Sequence, residues 1–211
     1  MKVVGASRTD AGVHALGQVA SFSTTSQLSL LAIRSGINAV LPPDIRVLEV
    51  ADAPPGFDAR RWARAKRYAY LIDNGPVALP FVSRYAWHIP QPLNDSAMRV
   101  GLRALRGKHD FSAFCAAPGL HRTPICTIFS AHLICRRSLM TILVSADSFL
   151  HHMVRNIVGS LVEVGRGHRS AEWIRELLVG RDRTRAGPTA PARGLTLLRV
   201  SYSLAERLPS T

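Results

Sequence analysis

The chain of 211 residues is 47% apolar, yet 27 Lys and Arg against 14 Asp and Glu give it a formal net charge of +13. Arginine supplies 24 of those cations and lysine three, an excess that suits planar, bidentate contact with phosphate and points to a polyanionic partner. No apolar run approaches the ~20 residues that span a bilayer, and Cys115, Cys126 and Cys135 are too few and too scattered for a disulfide framework or a zinc ribbon.

In chain order, residues 1–6 and 17–23 read as short strands around the loop SRTDAGVHAL. No secretory pattern opens the chain, and the three scattered cysteines make a reducing cytoplasm the expected compartment. Periodic Leu, Ile and Val over 28–40 predict a helix closed by Pro42-Pro43, and 45–50 reads as a strand. ADAPPGFDARR, with two adjacent prolines and a glycine, is the best linker candidate. A basic strand follows over 66–72, then a helix over 95–105. Strands at 126–134 and 139–146 flank the turn Arg136-Arg137-Ser138. Helices at 149–164 and 171–179 precede a last strand at 195–203. Helices mixed with strand pairs adjacent in sequence predict an α+β fold of two sheet-based subdomains backed by helices. The expected division is 1–55, which carries the Asp10 loop, and 56–211.

Carboxylates are informative because they are scarce. Asp10 is the one acid in residues 1–43 and sits two residues after Arg8. A carboxylate among backbone amides and a guanidinium keeps its charged form, which suits a nucleophile or a base. The plainer reading is that Asp10 caps the Ala11-Gly12 turn, a common use of Asp. No acidic neighbour stands near enough in sequence to suggest a glycosidase-type carboxyl pair. The eight histidines form no H-E-x-x-H, and no phosphate-binding glycine loop is present. His151 and His152, adjacent on a predicted helix, point about 100° apart and would not chelate a metal as an i,i+4 pair does.

On the helix 149–164, Met153, Val154, Ile157, Val158, Leu161, Val162 and Val164 fall on one half, while Asn156, Gly159, Ser160 and Glu163 fall on the other. Arg155 lies at the margin, either as a snorkelling surface side chain or as the buried partner of a lone carboxylate such as Asp10. Residues 60–67 hold five basic side chains, with Trp62 among them and Tyr68 and Tyr70 just beyond. Such a segment can hold a nucleic-acid backbone while a ring stacks a base, or it can be a charged, guarded edge strand. Tyr68 and Tyr70 share one strand face, turned either to core or to ligand.

These segments resemble, in order and along essentially the whole chain, the TruA family of tRNA pseudouridine synthases. SRTDAGVHALGQVASF (7–22) is similar to the family's catalytic motif and KRYAY (66–70) to its K-x-Y-x-Y strand. GKHDFSAFC (107–115) and Arg122-Thr123 resemble the next two blocks. FLHHMVRNIVGSLVEVG (149–165) resembles its most distinctive helix, and DRTRAGPTAPARGLTLLRVSY (182–202) its C-terminal block. The resemblance implies isomerisation of uridine to pseudouridine in the tRNA anticodon arm, at positions 38 to 40 of the tRNA, with no cofactor and no metal. It implies Asp10 as nucleophile, Arg155 as its ion-pair partner and Tyr68 as the ring that packs on the target base. RNA contact is implied for Arg8, His14, Lys66 and Arg67, and Leu195 or Leu197 would line the base pocket. Two subdomains around a basic central cleft, a homodimer and a tRNA spanning both subunits are implied as well.

Two departures carry expectations of their own. Ser7 stands where the family usually has Gly, and Ser resists positive φ, so the loop entry is expected to differ slightly. The family also has a strand and a helix ahead of the catalytic motif, whereas here Met1 precedes Asp10 by nine residues. A chain lacking those elements is expected to leave a sheet edge unpaired and an apolar face uncovered. The alternative to an enzyme is therefore a truncated relative that binds structured RNA without turning it over.

Overall fold

The computed structural model describes residues 1–116 and 123–202. Arg122 lies outside the described residues. The chain forms two compact units, one of residues 1–6 and 19–62, the other of residues 7–18 and 63–211.

In the smaller unit, β1 (Val4–Gly5) pairs antiparallel with β3 (Ala20–Ser21). Helix α1 (Leu30–Val40) starts at Ser29, whose side chain accepts from Ala32 N. No residue of α1 is buried, and Leu31, Val40 and the later Leu48 are exposed. Residues 45–50, expected as a strand, pair with no strand among the described residues. The Asn38 amide takes over their backbone instead, donating to Val47 O and accepting from Val47 N, each at 2.8 Å. A side chain that satisfies both groups of one residue replaces a ladder with a clip.

The larger unit is built on a seven-stranded sheet in the order β2-β9-β4-β8-β7-β6, with β5 attached to β4. β4 (Ala65–Asp73) is central and antiparallel to both β8 (Leu139–Ala146) and β9 (Leu195–Ser201). β7 (Ile125–Arg136) forms a hairpin with β8, and Arg137 takes the left-handed conformation in the turn at φ 53°. β6 (Gly107–Asp110) closes that end. Two short strands were not foreseen: β2 (His14–Ala15), parallel to β9, and β5 (Trp87–His88), parallel to the end of β4. Each is two residues long and pairs with a partner far off in sequence, so neither leaves a local alternation to read.

Helices α2 (Asp95–Ala104), α3 (Met153–Gly165) and α4 (Trp173–Gly180) back the sheet, with α2 packed on α3, α4 and β7. α3 is buried on nearly all sides. The half that carries the polar residues is covered too: Asn156 and Ser160 are fully buried, and only Arg155 and Glu163 are less than buried. The covering element is the irregular strap of residues 186–191. Ser160 Oγ accepts from Gly187 N at 3.0 Å, and Asn156 Oδ1 accepts from Thr189 Oγ1 at 2.7 Å and from Arg183 at 3.0 Å. A Cβ on Gly159 would overlap the Pro188 carbonyl oxygen, so only glycine lets strap and helix lie this close. No helix of the described residues is long and apolar enough to cross a membrane.

Candidate active site

The site is assembled on one unit from three pieces: the loop of residues 7–18, the start of α3 and the strap. The loop turns at Asp10, where Val13 N donates to the Asp10 carbonyl at 3.0 Å and Gly12 supplies φ 81°. It is then pinned to the sheet edge, because Leu16 N and Gly17 N both donate to Leu197 O. The backbone alone closes the turn, so the Asp10 carboxylate is free to point elsewhere. It points at the N-terminal turn of α3, where the helix dipole favours an anion.

Arg155 Nη1 donates to Asp10 Oδ2 at 2.9 Å, and Arg155 Nε donates to Ala190 O of the strap at 2.7 Å. The snorkelling reading of Arg155 therefore fails: its side chain is 14% exposed and held at both edges of the guanidinium. The Asp10 side chain is 30% exposed. His152 Nε2 lies 3.1 Å from Oδ2 and His151 Nε2 3.8 Å from Oδ1. The two imidazoles stack with centroids 3.9 Å apart.

This convergence corrects the helical reading of the pair. α3 begins at Met153, not at residue 149, and His152 sits before it in the left-handed region at φ 58°, ψ 6°. That one residue turns both imidazoles onto a carboxylate that two successive helical positions would not share. The sequence signal was present in the adjacent His-His one turn ahead of Arg155, but helical periodicity hid it. Burial pushes the His152 imidazole below its ordinary value, against the pull of the Asp10 charge. Asp10, His151 and His152 present three ligand atoms within 4.8 Å of one another. They do not suit a divalent cation, because the Arg155 guanidinium already occupies Oδ2 and would repel it.

Tyr68 and Tyr70 both face inward from β4, at 6% and 0% exposure. The Tyr70 hydroxyl donates to Pro191 O at 2.8 Å, which ties β4 to the strap. Tyr68 lies beside the Asp10 loop: its hydroxyl shares a 3.0 Å hydrogen bond with Ser7 Oγ, and Phe149 meets its ring edge-on at 5.0 Å. Burial raises the Tyr68 phenol above its ordinary value, the Ser7 bond opposes this, and the Asp10 charge adds to it. Ser7 is not at positive φ, so the departure from Gly brings no backbone strain and adds a partner for Tyr68.

The other expected residues are placed as follows. Arg8 is exposed on the same loop, and no ion pair joins it to Asp10. His14 is half-buried on β2, its ring 4.7 Å from Tyr85 and its Nε2 3.1 Å from Arg84 O. Lys66 and Arg67 are half-buried on β4 next to a register shift between Arg67 and Tyr68. Leu195 is buried at the start of β9 opposite Tyr70, and Leu197 is opposite Tyr68.

A family model described as tRNA pseudouridine synthase matches residues 102–203. The chain is 43% identical to a tRNA pseudouridine synthase A of Myxococcus xanthus, over 96% of this chain and 77% of that one. It is 46% identical to the protein of the same name from Moorella thermoacetica, over 94% and 81% of the two chains. The Chloroflexus aurantiacus protein of that name is 44% identical, over 95% and 74%. With identity of this depth along nearly the whole chain, the chain belongs to the tRNA pseudouridine synthase family, isomerases that convert uridine in tRNA to pseudouridine.

Proposed function

We propose that this chain isomerises uridine to pseudouridine in the anticodon arm of tRNA, at positions 38 to 40, as a cytoplasmic homodimer. Asp10 is the nucleophile and Arg155 its ion-pair partner. The observation that carries the reading is the Asp10 carboxylate, which accepts from the Arg155 guanidinium at 2.9 Å and stays 30% exposed.

The reaction breaks the bond between N1 of the base and C1′ of the ribose, turns the base, and joins C5 to C1′. The C5 proton leaves to solvent or a base, and N1 takes up a proton. A carboxylate contributes by attacking C1′, by attacking C6 of the base, or by taking a proton from the sugar. Each route uses one free carboxylate oxygen. The guanidinium holds the carboxylate aimed, at no reorganisation cost during the reaction. Before any of this the uridine leaves its stack, at a cost of a few kcal/mol. Tyr68 offsets that cost as the floor of the base pocket, and Leu195 lines the wall. Arg8, His14, Lys66 and Arg67 contact the RNA backbone, in keeping with the +13 charge.

The test is to incubate the purified chain with tRNA transcripts carrying uridine at 38, 39 or 40 and to map pseudouridine by chemical labelling. Conversion at these positions and not elsewhere is expected. Tight binding of the anticodon arm with no conversion would favour the binding-only relative instead.

A further inference from the structure

The loop of residues 74–86, between β4 and β5, is held firmly yet turns apolar side chains to water. The Asp73 carboxylate, buried at the end of β4, accepts from Gly75 N at 3.3 Å and from Leu79 N at 2.7 Å. A 3₁₀ turn at Pro80–Val82 carries the chain round, and Tyr85 N donates to Val82 O at 2.8 Å. The far end is tied to the Asp10 loop and to the segment after the strap. His14 Nε2 donates to Arg84 O, and Arg193 Nε donates to Ala86 O, each at 3.1 Å. Despite these ties, Phe81 is 97% exposed and Tyr85 51%. A ring left in water forgoes the stabilisation that burial brings, so a pinned loop that keeps two of them there presents them to a partner.

Tyr85 stands beside the catalytic loop. Its ring centroid lies 4.7 Å from that of His14, and His14 follows Asp10 by four residues, a stretch that spans at most ~14 Å. Both loops belong to the same compact unit. Next to Tyr85, the exposed Arg84 guanidinium meets no carboxylate among the described residues. A second copy of this +13 chain would bring like charge to Arg84, whereas RNA brings the opposite charge and bases to stack. We propose that Tyr85 stacks on a tRNA base next to the target uridine while Arg84 meets the phosphate there, so that this loop is a second contact for the anticodon arm. The proposal rests on the reading of the chain as an enzyme acting on that arm. Every base has a π face, so a stacking ring accepts any neighbour. One loop then serves targets at 38, 39 and 40, whose neighbours differ. A neighbour held on Tyr85 also leaves the target with less stacking to break.

Tyr85→Leu keeps apolar bulk against His14 and removes the ring, and Tyr85→Phe keeps the ring. For Tyr85→Leu the Kd for an anticodon stem-loop is expected to rise about 5- to 100-fold, as for a lost stack. KM rises in step and kcat stays within about threefold, because the stack is made equally before and during the reaction. Tyr85→Phe binds within about twofold of the parent. Tyr85→Leu leaves the slope of log affinity against log salt unchanged, whereas Arg84→Ala makes it shallower by about one. Binding by Tyr85→Leu within about twofold of the parent overturns the proposal, and so does Tyr85→Phe binding as weakly as Tyr85→Leu. A slope flattened by Tyr85→Leu overturns it too, since the loop would then have lost its shape and Arg84 with it. Should Tyr85→Leu not fold, Arg84→Ala decides, and an unchanged slope overturns the proposal. Sedimentation of the free chain tests the second copy: Phe81→Ser and Tyr85→Leu are expected to leave the association state as in the parent. A dimer that these changes dissolve, with stem-loop affinity kept, assigns the loop to a protein contact and overturns the RNA contact. The functional reading fails separately: a parent that neither binds nor converts the stem-loop removes it, and this contact with it. Conversion by the parent beside an unaltered Tyr85→Leu refutes only the loop contact.

Discussion

Arg155 bridges Asp10 and Ala190 with one guanidinium, donating through Nη1 to the carboxylate at 2.9 Å and through Nε to the strap carbonyl at 2.7 Å. The strap in turn is knotted to α3 by Arg183, whose guanidinium reaches Gly187 O, Asn156 Oδ1 and Thr189 Oγ1 at 3.0 to 3.1 Å. The aim of the carboxylate thus depends on a segment well outside the loop that carries it.

Arg155→Met keeps the length of the side chain and removes its charge and both bonds. A fully buried pair broken on one side costs ~3–5 kcal/mol, and the partial exposure of Asp10 brings the stability loss down to about 1–3 kcal/mol. Pseudouridine formation is expected to fall by at least about 100-fold, judged by the barrier cost of a displaced reacting group. Activity near the parent's would show that the ion pair is dispensable.

The Ser7–Tyr68 bond yields a measurement on stability. Ser7→Ala leaves the buried Tyr68 hydroxyl without its 3.0 Å partner, at about 1–2 kcal/mol in denaturant unfolding. Ser7→Ala combined with Tyr68→Phe is expected to cost less than the sum of the two single changes, because the second change removes the stranded group. Strict additivity would mean that the bond contributes nothing.

Gly159→Ala probes the contact between strap and helix. The added methyl meets the backbone of Pro188, which cannot turn aside as a side chain would. Overpacking of this kind costs about 1–3 kcal/mol, and pushing the strap outward displaces the carbonyl that holds Arg155, so activity falls with stability. Gly36→Ala in α1, where nothing lies within 4 Å of the new methyl, is the control. It is expected to raise stability by about 0.5–1 kcal/mol. Equal effects at the two positions would argue against a tight strap.

Much of this arrangement was legible in the sequence, and the remainder was hidden for identifiable reasons. The long elements β4, β7, β8, α2 and most of α3 follow from period and length alone. Asp10 stood out because acids are scarce around it, and Arg155 because a cation on an apolar face needs a partner. The buried polar side of α3 was missed because Asn156 and Ser160 are satisfied by the strap, a tertiary contact with no local trace. The histidine pair was missed because a single left-handed residue breaks a helix that composition continues. Residues 45–50 have the composition of a strand, but a strand also needs a partner, and here Asn38 occupies its backbone groups.

If arginines meet the tRNA through its phosphates, binding releases counterions and weakens linearly on a log–log plot against salt. Affinity for an anticodon stem-loop is expected to drop at least about tenfold between 50 and 200 mM salt, since even a few phosphate contacts give that slope. An affinity indifferent to salt would exclude a phosphate-reading surface.

The central claim, that the tethered Asp10 carboxylate performs the isomerisation, is tested most directly by single-turnover pseudouridine formation with Asp10→Asn. The substitution preserves size and the backbone-closed turn and removes the charge. The expected result is no pseudouridine above background, with stem-loop binding within about threefold of the parent and therefore within ~1 kcal/mol. Turnover within about tenfold of the parent, a barrier difference of only ~1.4 kcal/mol, would contradict the account.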